Sequence, residues 1–384
     1  MKRLRVAVVT GTRAEYGLLA PVIARLSRDR RFDCKVIVTG AHLDRRQGMT
    51  VREILADKVK IAARVPLKQR GDDGLAVAAA TAAAVKGLAR AYSRLKPGLV
   101  MVLGDRFEAF AAAAAALPLR IPVAHLHGGE RTEGVWDESL RHAITKLSHV
   151  HFPAAAAYGR RIARLGEDPR RIFVVGSPAV DRLRSLKRLS RSELSRELRL
   201  DLRAPVVVAT IHPETLSADR GLAACDAMIH ALEKTRATVV LTAPNADAGG
   251  RAIRARLAAF AARSRGRAKL YDSLGQKRYY SLLAHADAMI GNSSSGVLEA
   301  PYFGLPVVNI GDRQRGRERL GALLELPRPT PKSALAALAR ALKPAAKAAA
   351  RRRTPAGGSP SAKIVAALKK IKWGDGLLVK RFHD

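Results

Sequence analysis

Short apolar runs alternate with amphipathic stretches along most of the chain. In the first half, the runs that predict β-strands are residues 5–10, 34–39, 99–103, 123–126, 150–152 and 172–175. Between them, apolar positions recur every three to four residues, which is typical of helices that bury one face. These predicted helices are residues 17–28, 74–91, 108–117 and 138–148. The alternation predicts a doubly wound, parallel α/β sheet.

The pattern stops near Gly176-Ser-Pro178 and then starts again. A charged helical stretch over residues 181–200 comes first, and the strands predicted after it are residues 206–211, 239–242, 269–271, 288–290 and 307–310. We therefore predict two α/β domains, residues 1–177 and residues 178–361. A Pro/Gly/Ser-rich break at residues 354–360 precedes a further apolar-periodic helix near residues 363–371. We expect this C-terminal segment, residues 362–384, to complete the first domain.

Chemically versatile side chains follow the predicted strands at the points where the strands end. In open parallel sheets, ligands bind beyond the carboxyl ends of the strands. Strand ends in the first half carry Arg13 with Glu15, Asp105 with Arg106 and Glu108, and His125 with His127 and Glu130. Strand ends in the second half carry His212 with Glu214, Asn245 with Asp247, and the segment Asn292-Ser-Ser-Ser295. The sequence therefore predicts an acidic and basic active site in a cleft between two domains.

The stretch Gly291-Asn-Ser-Ser-Ser-Gly-Val-Leu-Glu299 is typical of a strand-to-helix junction that binds an anion. The unpaired amides of a first helical turn, the helix dipole and the serine hydroxyls all favour a phosphate there. Glu299, predicted within the first helical turns, would reach a sugar hydroxyl. A capped helix without a ligand is the equal alternative for this stretch taken alone.

Composition narrows the classes of function. Hydrophobic residues make up 48% of the 384 residues, which excludes a disordered chain. The chain has 69 basic and 33 acidic residues and a formal net charge of +36. The arginines are spread over predicted helical faces without interleaved aromatic residues. We therefore interpret the excess as solvated surface that would also attract an anionic small molecule, and expect no specific nucleic-acid partner.

Cysteine usage and hydropathy predict the compartment. Cys34 and Cys225 are far apart in sequence and have no metal-ligand spacing, which suits a reducing compartment and no disulfide framework. The N-terminal apolar run is too short for a signal sequence, and no uninterrupted run of about 18 apolar residues has bilayer-spanning character. We expect a cytoplasmic protein with no membrane partner.

The motifs of several common chemistries are missing. His125 and His127 alternate along a strand and would point to opposite faces, so we expect no metal site and one buried, hydrogen-bonded histidine. Gly11-Thr-Arg13 is not a Gly-x-Gly-x-x-Gly turn, and the sequence has no P-loop and no Gly-x-Ser-x-Gly elbow.

The remaining candidates combine groups that bind phosphate with groups that transfer protons. Such a set suits an enzyme that acts on a nucleotide sugar. Its members are Arg13, Arg106, Arg313, Asp105, Glu130, Asp137, His127 and His212. Turn or N-cap positions are the alternative for Asp105 and Asp137, and a solvated loop is the alternative for Arg313.

The motifs that carry these residues occur in a characteristic order. They are Gly11-Thr-Arg-Ala-Glu-Tyr-Gly17, Gly104-Asp-Arg-Phe-Glu108, His125-Leu-His-Gly-Gly-Glu130, Asp137-Glu-Ser-Leu-Arg-His142, His212-Pro-Glu-Thr215, Pro244-Asn-Ala-Asp247, Gly291-Asn-Ser-Ser-Ser-Gly296 and Asn309-Ile-Gly-Asp-Arg-Gln314. Together they resemble the UDP-N-acetylglucosamine 2-epimerase family, in particular its hydrolysing branch, which feeds the synthesis of sialic-acid-like nonulosonates. The resemblance spans residues 5–375.

The resemblance implies a GT-B-like fold with two Rossmann-like domains and a UDP-sugar substrate. The implied reaction eliminates UDP to a 2-acetamidoglycal and hydrates the glycal to N-acetylmannosamine or a related sugar. It implies no metal and no other cofactor. The first domain would transfer protons on the sugar, and the second would bind UDP.

The resemblance also implies roles for individual residues. Asp105 and Asp137 would transfer protons; non-hydrolysing members have a glutamate where His127 stands, so Glu130 or His127 itself would replace it. Arg13, Arg106 and His212 would contact the diphosphate and the sugar. Ser293 and Ser294 would bind phosphate, Glu299 would bind the ribose hydroxyls, and Asn245, Asp247, Arg251 and Arg313 would line the nucleotide side.

Three alternatives stay open. They are a GT-B glycosyltransferase, a non-hydrolysing UDP-sugar 2-epimerase, and a basic nucleotide-sugar-binding or RNA-binding protein without turnover. The sugar is either that of UDP-N-acetylglucosamine or a 6-deoxy-4-acetamido relative. We expect a homo-oligomer, either a dimer or a tetramer.

Overall fold

The computed structural model describes residues 3–45, 49–67, 74–131, 136–214, 218–244, 249–315, 321–353 and 358–384. The chain divides into two compact units. The first consists of Met1–Arg184 and Gly358–Asp384, and the second of Ser185–Gly357. The first unit is therefore assembled from two separate pieces of chain.

The first unit contains a six-stranded parallel sheet with strand order β3-β2-β1-β4-β5-β6. Its strands are β1 (Leu4–Thr10), β2 (Phe32–Thr39), β3 (Ile61–Val65), β4 (Leu99–Leu103), β5 (Val123–Leu126) and β6 (Val150–Phe152). Its helices are α1 (Arg13–Arg28), α2 (Val51–Ala56), α3 (Gly74–Leu95), α4 (Phe107–Ala116), α5 (Asp137–Leu147), α6 (Ala156–Arg164), α7 (Ala179–Ser185) and, from the C-terminal piece, α15 (Pro360–Lys370).

Helices cover both faces of this sheet, so the buried parts of its inner strands are mostly apolar. Alternate residues of β1 enter different cores: Val6 and Val8 belong to one hydrophobic cluster, and Ala7 and Val9 to another. Helices α1 and α15 complete the first cluster, whereas α3 and α4 complete the second. The strand ends are therefore the part of the sheet that remains for polar side chains.

The C-terminal piece packs against α1 on one face of the first unit's sheet. On α15, Ile364 and Leu368 are completely buried in the cluster that contains α1. Beyond the helix, the Lys380 ammonium lies 2.7 Å from the buried carboxylate of Glu167. Both apolar burial and a charged contact therefore hold this piece on the first unit.

The second unit contains another six-stranded parallel sheet, with strand order β12-β11-β10-β7-β8-β9. Its strands are β7 (Val206–Thr210), β8 (Thr238–Thr242), β9 (Ala268–Tyr271), β10 (Ala288–Gly291), β11 (Val307–Ile310) and β12 (Leu323–Leu326). Its helices are α8 (Arg191–Leu198), α9 (Leu222–Glu233), α10 (Gly250–Arg263), α11 (Gly275–His285), α12 (Ser294–Leu298), α13 (Pro331–Ala341) and α14 (Pro344–Arg352).

The two sheets have the same topology. Counted from the first strand of its own unit, each sheet has the order 3-2-1-4-5-6, which is that of a Rossmann-like doubly wound fold. The prediction of two Rossmann-like α/β domains is therefore confirmed.

Several elements differ from those predicted. Strands β3 and β12, which were not predicted, are edge strands; every residue of β12 is only partly buried, so its apolar pattern is weak. Residues 172–175 were predicted as a strand but form only a bridge from Ile172 to His151. The helix predicted over residues 181–200 is two helices, because Ser190 starts α8 with a capping box that Glu193 closes.

Along the chain, the boundaries between the units fall at residues 184/185 and 357/358. The sequence predicts these boundaries at 177/178 and 361/362. Helix α7 stays with the first unit because of its polar contacts. The Ser361 N–H donates to Asp181 Oδ2 at 2.6 Å, and Arg182 Nη1 lies 3.5 Å from Asp57 Oδ2. The chain therefore leaves the first unit after α7 and returns to it just before α15.

Within the described residues, α3 alone is long and apolar enough to cross a bilayer by length and composition. Its Ala84, Leu88 and Tyr92 are buried in the cluster that it shares with α4 and the sheet. Such contacts are typical of a helix that packs on one face of a sheet. Much of the opposite face of α3 is exposed.

We predict that Leu368→Ala lowers the unfolding free energy of the first unit by about 2 to 5 kcal/mol, because it leaves a cavity in the core. Both tryptophans, Trp136 and Trp373, lie in the first unit, so fluorescence during urea unfolding reports on this unit alone. The exposed variant Lys363→Ala on the same helix is the control and should shift stability by less than about 0.5 kcal/mol. Equal effects of the two variants would contradict the packing of α15.

Candidate active site

The strand order reverses between β1 and β4 in the first unit and between β7 and β10 in the second. Loops that follow two such neighbouring strands diverge and leave room for a ligand. In the first unit these loops begin at Gly11 and Gly104, and in the second at Ile211 and Asn292. Most candidate residues lie on these loops or on the loops of adjacent strands.

The loop after β1 is folded around Glu15. Thr12 is the N-cap of α1, and a capping box joins it to Glu15. The Gly11 N–H and the Thr12 N–H donate to Glu15 Oε2 at 2.6 and 3.1 Å, whereas Oε1 is buried without a hydrogen-bond partner. Arg13, the first residue of the helix, is more exposed, and its Nη1 lies 3.8 Å from Glu53 Oε1.

A second buried carboxylate, that of Glu108, holds Arg106. Arg106 Nε and Nη2 donate to the two carboxylate oxygens of Glu108 at 3.1 and 3.2 Å. Glu108 fills space left by two glycines: a Cβ on Gly40 would lie 2.5 Å from Glu108 Oε1, and a Cβ on Gly11 would lie 3.2 Å from the Glu108 side chain. These two hydrogen bonds use one edge of the guanidinium, that of Nε and Nη2. The Arg106 side chain remains 43% exposed, so its other edge can meet a ligand.

Glu15 and Glu108 form a pair of carboxyl groups beside Arg106. Arg106 Nε also lies 4.0 Å from Glu15 Oε1. Burial, and next the negative charge of Glu108, raise the pKa of Glu15 to about 7. Near neutral pH the pair therefore retains part of a proton, which reduces the repulsion between two carboxyl groups that share one guanidinium.

Arg141 on α5 binds the next group of carboxylates. Its side chain is only 3% exposed and donates to Asp105 and to Glu138. Its Nη1 also donates to the Glu130 carbonyl oxygen at 3.1 Å. Glu138 Oε1 in turn lies 3.1 Å from His142 Nε2. One buried cation therefore ties the loops after β4 and β5 to α5.

Asp105 and Asp137 do not occupy the N-cap positions of their helices. The N-caps of α4 and α5 are Arg106 and Trp136, and Asp137 is the first helical residue of α5. Burial, and next the charge of Asp105, raise the pKa of Asp137, although the charges of Arg106 and Arg141 oppose this shift. The two aspartates therefore interact as like charges, and Asp137 holds its proton more tightly than an isolated aspartate.

His127 and Glu130, between which the sequence left a choice, are hydrogen-bonded to each other. His127 Nδ1 lies 2.6 Å from Glu130 Oε1, and both side chains are mostly buried. His127 has a φ of +61°, a left-handed conformation that follows the end of β5. Its Nε2 lies 3.4 Å from Ser177 Oγ. The two residues therefore form one imidazole–carboxylate pair.

His125 is the buried, hydrogen-bonded histidine that the strand alternation predicts. Its Nε2 lies 2.7 Å from the Gly104 carbonyl oxygen, and its Nδ1 lies 3.2 Å from Thr145 Oγ1. Burial lowers the pKa of His125 to about 3, so the ring is neutral. In the part of the chain that the structure describes, no group of three or more His, Cys, Asp and Glu side chains is placed to hold a metal ion.

In the second unit, Asn292 fixes the backbone of His212. Asn292 is fully buried; its Oδ1 accepts from the His212 N–H at 2.7 Å, and its Nδ2 donates to the His212 carbonyl oxygen at 2.9 Å. Gly291, with a φ of +134°, permits the close approach of β7, because a Cβ there would lie 1.8 Å from the Thr210 carbonyl oxygen. Side-chain hydrogen bonds and close backbone packing thus hold the ends of β7 and β10 next to each other.

The segment after β10 differs from the predicted helix. Helix α12 has only five residues, and the hydroxyl of its N-cap, Ser293, accepts from the Ser295 N–H at 3.3 Å. Glu299 follows the helix instead of lying in its first turns, so that part of the prediction is wrong. The chain continues as a 3-10 turn over Ala300–Phe303, because Pro301 has no N–H to continue the α-helical hydrogen bonds.

The loop after β11 carries Arg313, which is half-buried. The Glu214 carboxylate packs closely against this loop, since a Cβ on Gly311 would lie 2.0 Å from Glu214 Oε1. Burial raises the pKa of Glu214. Of the other nucleotide-side candidates, Ser294 begins α12 and is half-buried, Arg251 is an exposed residue of α10, and Asn245 and Asp247 lie outside the described residues.

Several residues shape these sites although no individual role was assigned to them from the sequence. They are Glu15, Glu108, Glu138, Arg141, Ser177, Glu214 and Asn292. All except Ser177 lie within the sequence motifs, and membership of a motif is the sequence signal that could have identified them. Their partners come from other loops, so their roles depend on contacts that local sequence does not contain.

Two doubly wound units of this topology, with polar side chains at the switch point of each, define a GT-B-like enzyme. Comparison with known proteins gives the family. The family model described as UDP-N-acetylglucosamine 2-epimerase matches residues 24–369. The chain belongs to this family, and the resemblance inferred from its motifs is confirmed.

Two relatives are similar to the chain over most of its length. A Campylobacter jejuni protein named GDP/UDP-N,N'-diacetylbacillosamine 2-epimerase (hydrolyzing) is 36% identical over 326 residues, 85% of each chain. A Legionella pneumophila protein named UDP-N,N'-diacetylbacillosamine 2-epimerase (hydrolyzing) is 37% identical over 322 residues, 84% of this chain and 85% of the relative.

A solved structure supports the fold. The crystal structure of UDP-GlcNAc 2-epimerase from Neisseria meningitidis bound to UDP-GlcNAc matches with a TM-score of 0.76 and 20% identity. The match covers 96% of this chain and 100% of that one. The GT-B-like fold with two Rossmann-like units is thus shared with a 2-epimerase.

We predict that Glu15→Gln changes how the stability of the first unit depends on pH. A carboxyl whose pKa rises on folding, here from 4.5 to about 7, stabilises the fold fully below pH 4.5 and loses that contribution as the pH rises through 7. Relative to Glu15→Gln, the wild type should therefore lose on the order of 3 kcal/mol between pH 4.5 and 7. Urea unfolding followed by tryptophan fluorescence measures this difference.

The control is Glu53→Gln, which alters a half-exposed carboxylate of the same unit and should follow the wild type. Parallel stability curves for the wild type and Glu15→Gln would contradict the buried carboxyl pair.

Proposed function

We propose that the protein is a hydrolysing UDP-sugar 2-epimerase, which eliminates UDP from a UDP-linked 2-acetamido sugar and hydrates the resulting 2-acetamidoglycal. The observation that carries the proposal is the group of carboxylates around Arg141 in the first unit, with the His127–Glu130 pair beside it. Elimination and hydration need a base, an acid and an activated water, and this group offers a separate side chain for each. The relatives named as hydrolysing 2-epimerases support the same reaction.

The base and the acid come from the aspartate pair. Asp105, whose carboxylate accepts from the buried Arg141, removes the proton from C2 while UDP leaves C1 with the bonding electrons. Asp137, with its raised pKa, returns a proton to C2 from the opposite face. Arg106, held by Glu108, stabilises the charge of the departing diphosphate.

The His127–Glu130 pair activates water in the second half-reaction. Glu130 orients the imidazole by the hydrogen bond to Nδ1, and Nε2 takes a proton from the water whose oxygen adds to C1. This pair stands at the position where non-hydrolysing members have a glutamate. The proposed hydration therefore rests on the residue by which the chain departs from that branch.

The second unit binds the nucleotide in this proposal. Glu299 accepts from ribose hydroxyls, the segment that starts at Ser293 binds phosphate, and His212 contacts the diphosphate from its position beside Asn292. Ser294, Asn245, Asp247, Arg251 and Arg313 complete the nucleotide side, and Arg13 joins Arg106 on the sugar side.

The product is N-acetylmannosamine or a related free 2-acetamido sugar for a sialic-acid-like nonulosonate. Because two relatives are named for N,N'-diacetylbacillosamine, the UDP-linked 4-acetamido-6-deoxy sugar is a substrate candidate beside UDP-N-acetylglucosamine. We also propose a cytoplasmic homo-oligomer that needs no cofactor.

Incubation with each UDP-sugar in deuterated water tests the reaction. We expect release of UDP and a free sugar that carries deuterium at C2, because the returning proton comes from an acid that exchanges with solvent. A deuterated sugar that is still linked to UDP would indicate the non-hydrolysing branch. Transfer to an added acceptor without deuterium at C2 would instead indicate a glycosyltransferase.

Two substitutions test the division of labour between the units. Asp105→Asn should lower turnover roughly 10²- to 10⁴-fold and leave UDP affinity within about twofold, because it removes a base. Glu299→Ala should weaken UDP binding about tenfold or more, because it removes a charged acceptor. Glu233→Ala, which removes an exposed carboxylate of the second unit, is the control. Similar loss of UDP affinity in Asp105→Asn and Glu299→Ala would overturn the assignment.

A further inference from the structure

A relay of hydroxyl groups holds the carboxylate of Glu299 within the second unit. The Tyr280 hydroxyl donates to Glu299 Oε1 at 2.8 Å, and the Ser295 hydroxyl donates to Glu299 Oε2 at 2.6 Å. Ser295 itself accepts from the Tyr279 hydroxyl at 2.7 Å. Neighbouring tyrosines of α11 are thus joined to both oxygens of one carboxylate on the segment after β10.

The direction of these hydrogen bonds follows from the donors available. An ionised carboxylate can only accept, so the hydroxyls of Tyr280 and Ser295 must donate to Glu299. Ser295 has a single hydroxyl proton, so it must accept from Tyr279. Burial, and next the charge of Glu299, raise the pKa of both tyrosines, which therefore keep their protons.

Tyr280 is a rigid support for the carboxylate. It is 4% exposed, and its ring packs against Tyr279 and Phe303 with centroid distances of 6.2 and 6.0 Å. The Glu299 side chain has several rotatable bonds, and the two hydroxyl donors restrict them before any ligand binds. The position of the carboxylate is therefore set by the packing of α11.

Each carboxylate oxygen uses only one of its two lone pairs in this relay, which leaves one on each oxygen. Two acceptors on one rigid carboxylate match two vicinal hydroxyl donors, the arrangement of the ribose 2′- and 3′-hydroxyls. A 2′-deoxyribose supplies only one of these donors. A carboxylate free to rotate would discriminate less sharply between the two sugars, because it could adjust to a single donor.

We propose that Tyr280 and Ser295 are positioning residues that hold Glu299 for the ribose diol and thereby set the preference for ribonucleotides over 2′-deoxyribonucleotides. Tyr279 supports them through Ser295. This inference rests on the proposed contact of Glu299 with ribose. It adds the residues that make this contact selective.

The test compares the affinities of the protein and its variants for UDP and for 2′-deoxy-UDP by titration calorimetry. The wild type should prefer UDP by about tenfold or more. Tyr280→Phe and Ser295→Ala should each weaken UDP binding about three- to tenfold and change 2′-deoxy-UDP binding much less, so the preference falls. Tyr279→Phe should have a smaller effect in the same direction.

Tyr271→Phe is the matched control. It removes a tyrosine hydroxyl of the same unit that donates to the Leu198 carbonyl oxygen at 2.7 Å and does not contact Glu299. It should leave the ratio of the two affinities unchanged. Thermal melting of each variant checks that the second unit remains folded.

The outcomes separate this inference from the proposed function. Equal weakening of both nucleotides in Tyr280→Phe and Ser295→Ala would show a purely structural role and overturn the inference. A reduced preference in Glu299→Ala, without any reduction in Tyr280→Phe and Ser295→Ala, would overturn the inference alone. An unchanged preference in Glu299→Ala would overturn the ribose contact itself and the inference with it.

Discussion

The repulsion between carboxylates at one end of a parallel sheet is the constraint on which the first unit depends. Two guanidinium groups, those of Arg106 and Arg141, neutralise part of this charge through forked or multiple hydrogen bonds. The rest is relieved by proton uptake. The carboxyl groups whose pKa is raised are those of Glu15 and Asp137. Burial and like charge raise both pKa values, so these two carboxyl groups bind their protons more tightly than isolated ones.

In the second unit, mostly uncharged groups fix the positions of the backbone and side chains at the strand ends. The absence of a side chain at Gly291, the buried amide of Asn292 and the hydroxyls of Tyr279 and Tyr280 all fix backbone or side-chain positions without adding charge. The two units share a topology but differ in what their strand ends hold, so the fold alone does not determine their chemistry.

Most elements, and the placement of the candidate side chains at the ends of strands, could be predicted from the sequence because buried parallel strands are continuous apolar runs and the motifs follow their ends. The edge strands β3 and β12 escaped prediction because half-exposed strands lack such runs. The choice between His127 and Glu130 could not be made from the sequence, which does not show the hydrogen bond that joins the two side chains. The role of Arg141 depends on loops far away in sequence, and nothing local distinguishes it from the chain's many other arginines.

The discontinuity of the first unit has a consequence for how the protein is made. The chain begins this unit, builds the whole second unit, and only then supplies α15, whose Ile364 and Leu368 complete the cluster around Val6 and Tyr16. During synthesis the second unit can therefore fold while the older part of the chain still exposes the apolar face that α15 will cover. The first unit therefore starts to be synthesised before the second unit but completes its folding after it. Until α15 is available, the apolar face that α15 will cover is a surface that a chaperone would have to protect.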